Sequence, residues 1–362
     1  MKIFVFGIRG FPYVGGGAEM HPEQLYPRLV EQGYDVTILT RKYLFPVWKY
    51  VKFKKIPYIN NRYLETLSHS ILCTFYCLFK RPDVVHIHNM GACPLVFLLE
   101  LFNIDVVLTI HSLNYLHKKW GWRGKLVLNI CEFIGVHFSR NIITVSHEIA
   151  THLAFKYKHS APITYIPNGV NEPEYVPPFT TLIKFKLEPR KYILAVGRID
   201  PVKGLDKLIE AYKRIKNPDY KLVIAGGITH ETKYTKALFL EKSDKIKMTG
   251  FICGKELAEL YTNAGLFVAA SSNEGFPLVL LEAMSYGLPI LVSNILPHRE
   301  LGLPSFRYFN QTSTEELRIK IETLMERGIE KEEMKKYTML LRRKYNWEAI
   351  VKDTMTVYTW TE

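Results

Sequence analysis

The chain has 362 residues, 48% hydrophobic and 23% charged, enough to bury two domains of ordinary size and too apolar for a disordered or low-complexity protein. Lysines and arginines number 48 against 35 acids, and the formal net charge of +13 points to a polyanionic or phosphorylated partner. The five cysteines, at 73, 77, 93, 131 and 253, lie in apolar surroundings without zinc-type spacing and read as reduced core residues, and no run reaches the roughly 18 apolar residues of a spanning helix.

Short apolar runs alternate with longer helical stretches, the pattern of a parallel α/β fold. Residues 2–6 read as a buried strand, too short for the core of a signal peptide. The Gly-rich turn GIRGFPYVGGGAE and a helix to about Gln32 follow. The turn lacks the GxGxxG spacing of a dinucleotide site. Gly15, Gly16 and Gly17 permit close backbone approach to a ligand, and a merely flexible turn accounts for them equally well. Residues 35–40 form the next strand. The run 41–63 then holds seven Lys/Arg, no acid and seven aromatics, which suits an anionic membrane surface. A solvated basic strand and loop with core aromatics fits it equally. Nucleic acid ranks lower, because no helix-turn-helix, zinc-finger or RNP-like string is present.

Residues 83–88, 105–111 and 141–146 read as three more strands, each apolar until a polar residue ends it. Ligands collect at such carboxyl ends in open α/β sheets. His86, His88 and Asn89 end one strand and His111 the next, so all are candidates for contact with substrate. The H-x-H spacing has no acidic third ligand nearby and does not read as a metal site. Residues 163–166 form a short strand, and the proline-rich NEPEYVPPFTTL after Pro167-Asn168-Gly169 reads as a linker. The alternation then restarts, with strands at 192–196, 221–225, 246–249, 264–270 and 290–293, a helix at 204–215 and a terminal helix at 347–360.

The most informative stretch is SSNEGFPLVLLEAMSYGLP, residues 271–289. It follows an apolar strand and starts a helix near Pro277, where proline suits the first helical position. Free N–H groups and the positive dipole end at a helix start bind anions or sugar hydroxyls. Glu274 precedes the helix, and Glu282 lies about 7.5 Å along it. Such a pair can hold two parts of one elongated ligand. In AVGRIDPVKGLDKLIEA, Arg198 and Lys203 sit in a turn after a strand and suit a diphosphate, although a solvated helix start would carry cations too.

The string EGFPLVLLEA closely resembles the Glu-x7-Glu motif of retaining GT-B glycosyltransferases of family 4, and the string around Arg198 and Lys203, then LVIAGG, TGF and IPNGV, follow the same family's order. The GxRGxP start and KKWGWRGK are similar to a subgroup that builds bacterial surface polysaccharides. The resemblance implies two Rossmann-like domains facing a central cleft. Residues 1–170 would be the acceptor side and 171–345 the donor domain, with the helix of 346–362 packing back on the first. It further implies that Glu282 binds the ribose hydroxyls and that Arg198 and Lys203 hold the diphosphate of a nucleotide-sugar donor. Glu274 and the amides of Gly275, Phe276 and Leu278 would line the sugar and phosphate pocket, with Gly16 and Gly17 facing the donor and His111 acting on the substrate. Pro277 stands where the family often has glycine, which removes one backbone donor.

No Asp-x-Asp string is present, so no metal and no cofactor beyond the nucleotide-sugar substrate is expected. The expected protein is cytoplasmic, peripheral on the inner face of the membrane, with a saccharide or lipid-linked acceptor. The alternatives are a GT-B epimerase, a transferase for soluble acceptors, or an inactive donor-binding scaffold.

Overall fold

The computed structural model describes residues 1–8, 10, 17–41, 50–61, 64–113, 121–158, 160–216, 218–228 and 231–359, without the side chains of 17–19. The chain divides into two compact units, Met1–Asn168 with Trp347–Glu362, and Gly169–Asn346.

The first unit carries β1 (Lys2–Phe6), α1 (Gly17–Glu31), β2 (Asp35–Thr40), β3 (Lys52–Lys55), α2 (Glu65–Lys80) and β4 (Val84–His88). It continues with α3 (Val96–Leu101), β5 (Asp105–Ile110), α4 (Trp122–Phe138), β6 (Asn141–Thr144), α5 (His147–Lys156) and β7 (Ile163–Tyr165). Its seven strands are parallel in the order β3-β2-β1-β4-β5-β6-β7, with Ile3 opposite Val36 on one side and Val84 on the other. Side chains alternate across a strand. Ile3 and Val5 accordingly join Leu25 and Leu29 of α1 and Ile350 and Val351 of the C-terminal helix in one core. Phe4 points the other way and stacks on Tyr76 of α2 at 5.8 Å. Helices α2, α3 and α4 cover that second face in turn. Strand β3 is an edge strand whose Lys52, Lys54 and Lys55 are exposed while Val51 and Phe53 pack inward. Lysines on a sheet edge discourage pairing with another chain.

The second unit runs through α6 (Thr180–Phe185), β8 (Tyr192–Val196), α7 (Leu205–Lys213), β9 (Lys221–Ala225), α8 (Lys233–Leu240), β10 (Ile246–Gly250), α9 (Gly254–Asn263) and β11 (Leu266–Ala269). Then come α10 (Leu278–Ser285), β12 (Ile290–Ser293), α11 (Leu296–Arg299), β13 (Tyr308–Phe309), α12 (Thr314–Arg327) and α13 (Lys331–Lys344). The last helix, α14 (Trp347–Thr359), belongs to the first unit. Six parallel strands lie in the order β10-β9-β8-β11-β12-β13. Helix α7 shows how sequence sets the packing: Leu205, Leu208, Ile209 and Tyr212 recur at helical spacing and all are buried in the core.

In both sheets the order reverses beside the first strand, between β1 and β4 in one and between β8 and β11 in the other. The crevice at such a reversal is where α/β folds bind ligands. Four cysteines are buried, whereas Cys253 is exposed at the start of α9, against the expectation of five core cysteines. That helix begins on a turn at the end of β10, outside the apolar layer.

Candidate functional site

The second unit gathers its candidate residues on the turns after β8 and β11, the neighbouring strands at its switch point. The turns are locked by close backbone approach. A Cβ on Gly204 would lie 2.2 Å from the Ala270 carbonyl oxygen, and one on Gly226 would lie 1.8 Å from that of Gly197. Ser272 donates its amide to the Val202 carbonyl at 2.8 Å, and the Asp200 side chain accepts from the Val202 amide at 3.0 Å.

This packing brings Lys203 against Glu274, Nζ to Oε1 at 2.5 Å, with side chains only 21% and 13% exposed. The same carboxylate oxygen accepts from Ser271 Oγ at 2.6 Å. Ser293 Oγ donates to the Ser271 carbonyl at 2.5 Å, and His298 Nδ1 donates to the Ser293 carbonyl at 2.8 Å. Burial alone would raise the Glu274 carboxyl. The Lys203 ammonium, its hydrogen bond and that of Ser271, with a smaller effect of His298, outweigh burial and hold it below its ordinary value. His298 is itself pushed down to about 4, chiefly by burial. An ammonium has three N–H donors. One engages Glu274, which leaves Lys203 able to reach an anion without breaking the pair. Its side chain lies over Gly197, whose φ of +147° only glycine adopts readily. Arg198 beside it is exposed and, among the described residues, has no ion pair or hydrogen bond.

Pro277 is the residue before α10, with extended backbone (φ −84°, ψ 99°), and not its first helical residue. The amides of Gly275, Phe276 and Leu278 meet no acceptor among the described residues. The Phe276 side chain is buried against Tyr345 at 5.5 Å between rings, and Leu278 is buried. Their backbone rather than their side chains is therefore available. Within α10, Glu282 accepts from Tyr261 Oη at 2.8 Å, and Tyr261 stacks on Tyr286 at 5.2 Å. Burial raises the Glu282 carboxyl, partly opposed by the Tyr261 hydrogen bond. The two carboxylates of the motif thus sit in opposite electrostatic settings.

The first unit holds a buried chain of imidazoles at its own switch point. Gly7, at φ +96°, presses its loop onto the end of β4, where a Cβ would lie 2.1 Å from the His88 carbonyl oxygen. His86 accepts or donates at Nδ1 with Tyr358 Oη, 2.5 Å, and Tyr26 Oη, 3.0 Å, and at Nε2 with Thr109 Oγ1, 2.7 Å. Tyr26 Oη reaches on to His88 Nε2 at 2.5 Å, and His88 Nδ1 meets His111 Nε2 at 2.8 Å. The rings of His88 and His111 stack at 5.2 Å, with His21 edge-on to His111 at 5.3 Å. Burial pushes all these histidines down, His21 to about 4 against an opposing hydrogen bond with Asn168, and repulsion from neighbouring imidazoles adds to burial at His86, lowered to about 3, and at His88 and His111. His86 and His88 are wholly buried, so the reading of them as substrate contacts is corrected: they support their neighbours. His111 is also buried, but its Nδ1, itself shut off from solvent, has no partner among the described residues.

Gly17 opens α1, while Gly16 lies outside the described residues. The Ser271–Ser293–His298 linkage, Tyr261 and Tyr26 were not found by sequence reasoning. Tyr261 lies 21 residues from the carboxylate that it touches, and no local pattern marks it.

Two Rossmann-like units, each built on a parallel sheet, are the mark of the GT-B class of α/β folds. The family description "Glycosyltransferase Family 4" matches residues 15–173, and "Glycosyl transferases group 1" matches residues 181–340. An uncharacterized glycosyltransferase of Methanocaldococcus jannaschii is 25% identical over 99% of this chain and 98% of its own. The O-antigen chain mannosyltransferase RfbU of Salmonella typhimurium is 27% identical over 56% of each chain. The crystal structure of Anabaena HepE in complex with UDP-glucose superposes with a TM-score of 0.80 at 15% identity, covering 99% of both chains. The chain belongs to the family 4 glycosyltransferases of GT-B fold.

Proposed function

We propose that the protein moves a sugar from a nucleotide diphosphate-sugar to a hydroxyl of a saccharide acceptor, with retention of configuration, in the assembly of cell-surface polysaccharide. Arg198 and Lys203 hold the diphosphate and offset the charge that develops as the nucleotide leaves. Glu282 takes the ribose hydroxyls. Glu274 and the amides of Gly275, Phe276 and Leu278 line the sugar and phosphate pocket, with Gly16 and Gly17 approaching the donor and His111 offering Nδ1 to the substrate. The acceptor oxygen bonds to the anomeric carbon on the face from which the nucleotide departs. The bond from that carbon to the phosphate oxygen breaks, and the departing phosphate takes the acceptor proton. The two cations do what a bridging metal does elsewhere, so the reading is metal-independent.

The observation that carries the donor assignment is the Lys203–Glu274 pair beside Arg198, unpaired among the described residues, at the switch point of the second sheet. The nucleotide-sugar in HepE and the O-antigen role of the Salmonella relative support the choice of donor and pathway class. The acceptor is a lipid-linked saccharide met by a peripheral cytoplasmic enzyme at an anionic membrane surface. Residues 41–63 take part in that contact, 42–49 and 62–63 among them lying outside the described residues. Among the described residues no helix is long and apolar enough to cross a membrane.

Thermal stability with UDP, GDP and ADP, on wild type and Glu282→Ala, tests the donor site. Ligand at 100 times its dissociation constant stabilises by about 2.7 kcal/mol. One nucleotide is expected to stabilise the wild type and to fail with the variant. No stabilisation at millimolar concentration by any of the three overturns the assignment.

A further inference from the structure

Helix α4 is apolar on both sides. Its inner side, with Cys131 and Gly135, packs so closely on the sheet that a Cβ on Gly135 would lie 2.8 Å from Leu108. Its outer side exposes Trp122 (71%), Leu126, Ile130 and Phe133, spaced four, four and three residues apart and so along one stripe. Helix α2 repeats the arrangement with Leu72, Phe75 and Phe79 (79% exposed). Helix α3 lies between them and exposes Phe97 and Leu101. Large apolar side chains exposed in rows on three neighbouring helices mark a contact site.

The charges on these helices select the partner. Lys80 and Arg81 close α2, and Arg123 and Lys125 open α4; all four are exposed, and none forms an ion pair among the described residues. Lys80 lies over the Phe79 ring at 5.0 Å and Arg123 over the Trp122 ring at 5.3 Å. The acids are withdrawn. Glu132 of α4 is buried against Lys156, and Glu65 of α2 pairs with Arg41, which leaves Glu100 of α3 as the exposed acid of the three helices. A second copy docked on this face would set cations against cations with little acid to match. A bilayer offers hydrocarbon to the stripes and phosphate to the lysines and arginines, with tryptophan at the boundary between them.

We propose that the outer faces of α2 and α4 form a membrane-docking surface for anionic phospholipid. The inference deepens the membrane contact of the proposed function and adds to it the named side chains of α2 and α4. It does not depend on the donor chemistry.

The test is flotation of the full chain with vesicles of phosphatidylcholine alone or with 30% phosphatidylglycerol (about a third anionic lipid, enough to give a strong surface potential). Two variants are compared with wild type: Trp122→Ser with Leu126→Ser and Ile130→Ser, and Arg123→Glu with Lys125→Glu. Wild type is expected to float with the anionic vesicles. The serine variant should lose at least tenfold in bound fraction, and the charge variant should lose binding that low salt would otherwise strengthen. Wild-type binding retained by both variants overturns the proposal, as does a failure of wild type to float. It is also overturned if wild type is a dimer in gel filtration that the serine substitutions dissociate, since a second copy then covers the face. Every substituted side chain is solvent-exposed, so both variants should keep the wild-type unfolding temperature and its nucleotide response. If the serine variant misfolds, the charge variant alone decides. The nucleotide response also separates the readings: its loss in wild type would sink the donor site and leave the docking face standing.

Discussion

Replacing Lys203 by methionine keeps the aliphatic stem over Gly197 and deletes one charge. Glu274 then keeps its bond to Ser271 but loses the cation that opposes burial. Breaking a fully buried ion pair costs about 3–5 kcal/mol. Because the two side chains retain 21% and 13% exposure and one hydrogen bond survives, about 2–3 kcal/mol is expected here. For a unit of this size that lowers the unfolding temperature by roughly 4–12 °C. Adding Glu274→Gln removes the stranded charge, and the double variant should recover about 1 kcal/mol or more of the loss. The pH dependence has a definite sign. A carboxyl held below its ordinary value of 4.5 adds stability above that pH and loses it as pH falls through the depressed value. In Lys203→Met, burial acts on Glu274 without the opposing ammonium, so the gap between wild type and variant should narrow as pH falls toward and below 4.5. Chemical denaturation of the four proteins of the cycle, at pH 7 and at pH 4, makes the measurement. If the double variant is no more stable than Lys203→Met, or the gap widens in acid, the pair is not what holds Glu274 charged.

Gly226→Ala should both destabilise and disarm the second unit. Its Cβ would sit 1.8 Å from the Gly197 carbonyl oxygen, so the turn carrying Arg198 must move. A loss of more than about 3 kcal/mol is expected, together with loss of the nucleotide-induced thermal shift. A normal shift would show that the turn geometry is not needed. Arg307→Met tests a purely structural pair. Arg307 is wholly buried and bonds Glu333 at Nε and Nη2, at 2.8 and 2.7 Å. Stranding that carboxylate should cost about 3–5 kcal/mol by denaturation, while the nucleotide affinity of the folded fraction stays unchanged.

The alternation of strands and helices was readable because parallel strands buried on both faces are continuous apolar runs. Residues 192–196 and 221–225 show this, and both ranges match the observed strands. Strand β3, KFKK, was legible only as the basic strand-and-loop alternative for residues 41–63, because an edge strand needs only Phe53 inside and spends its other positions on charge. At the site, Glu274 and Glu282 were readable from their string. Their unlike environments were not, since Lys203 and Tyr261 reach them only through tertiary packing. His86 and His88 misled for a related reason: a polar residue at a strand end looks like a ligand contact, and here it is satisfied by Thr109, Tyr26 and Tyr358 from distant parts of the chain. The outer stripe of α4 was hidden as well. A helix apolar all round reads as core, and only the fold reveals that one side is uncovered.

The imidazole chain of the first unit has a direction. Each neutral ring carries one donor and one acceptor nitrogen, so neighbouring rings cannot choose independently. If His88 donates from Nδ1 to His111, its Nε2 must accept from the Tyr26 hydroxyl, and His111 is left with a proton on Nδ1. If the bond runs the other way, His88 donates to Tyr26, and His111 carries a bare lone pair on Nδ1 instead. Whether His111 Nδ1, unpartnered among the described residues, gives or takes a proton is therefore set by the rotation of the Tyr26 hydroxyl, two hydrogen bonds away and wholly inside the protein.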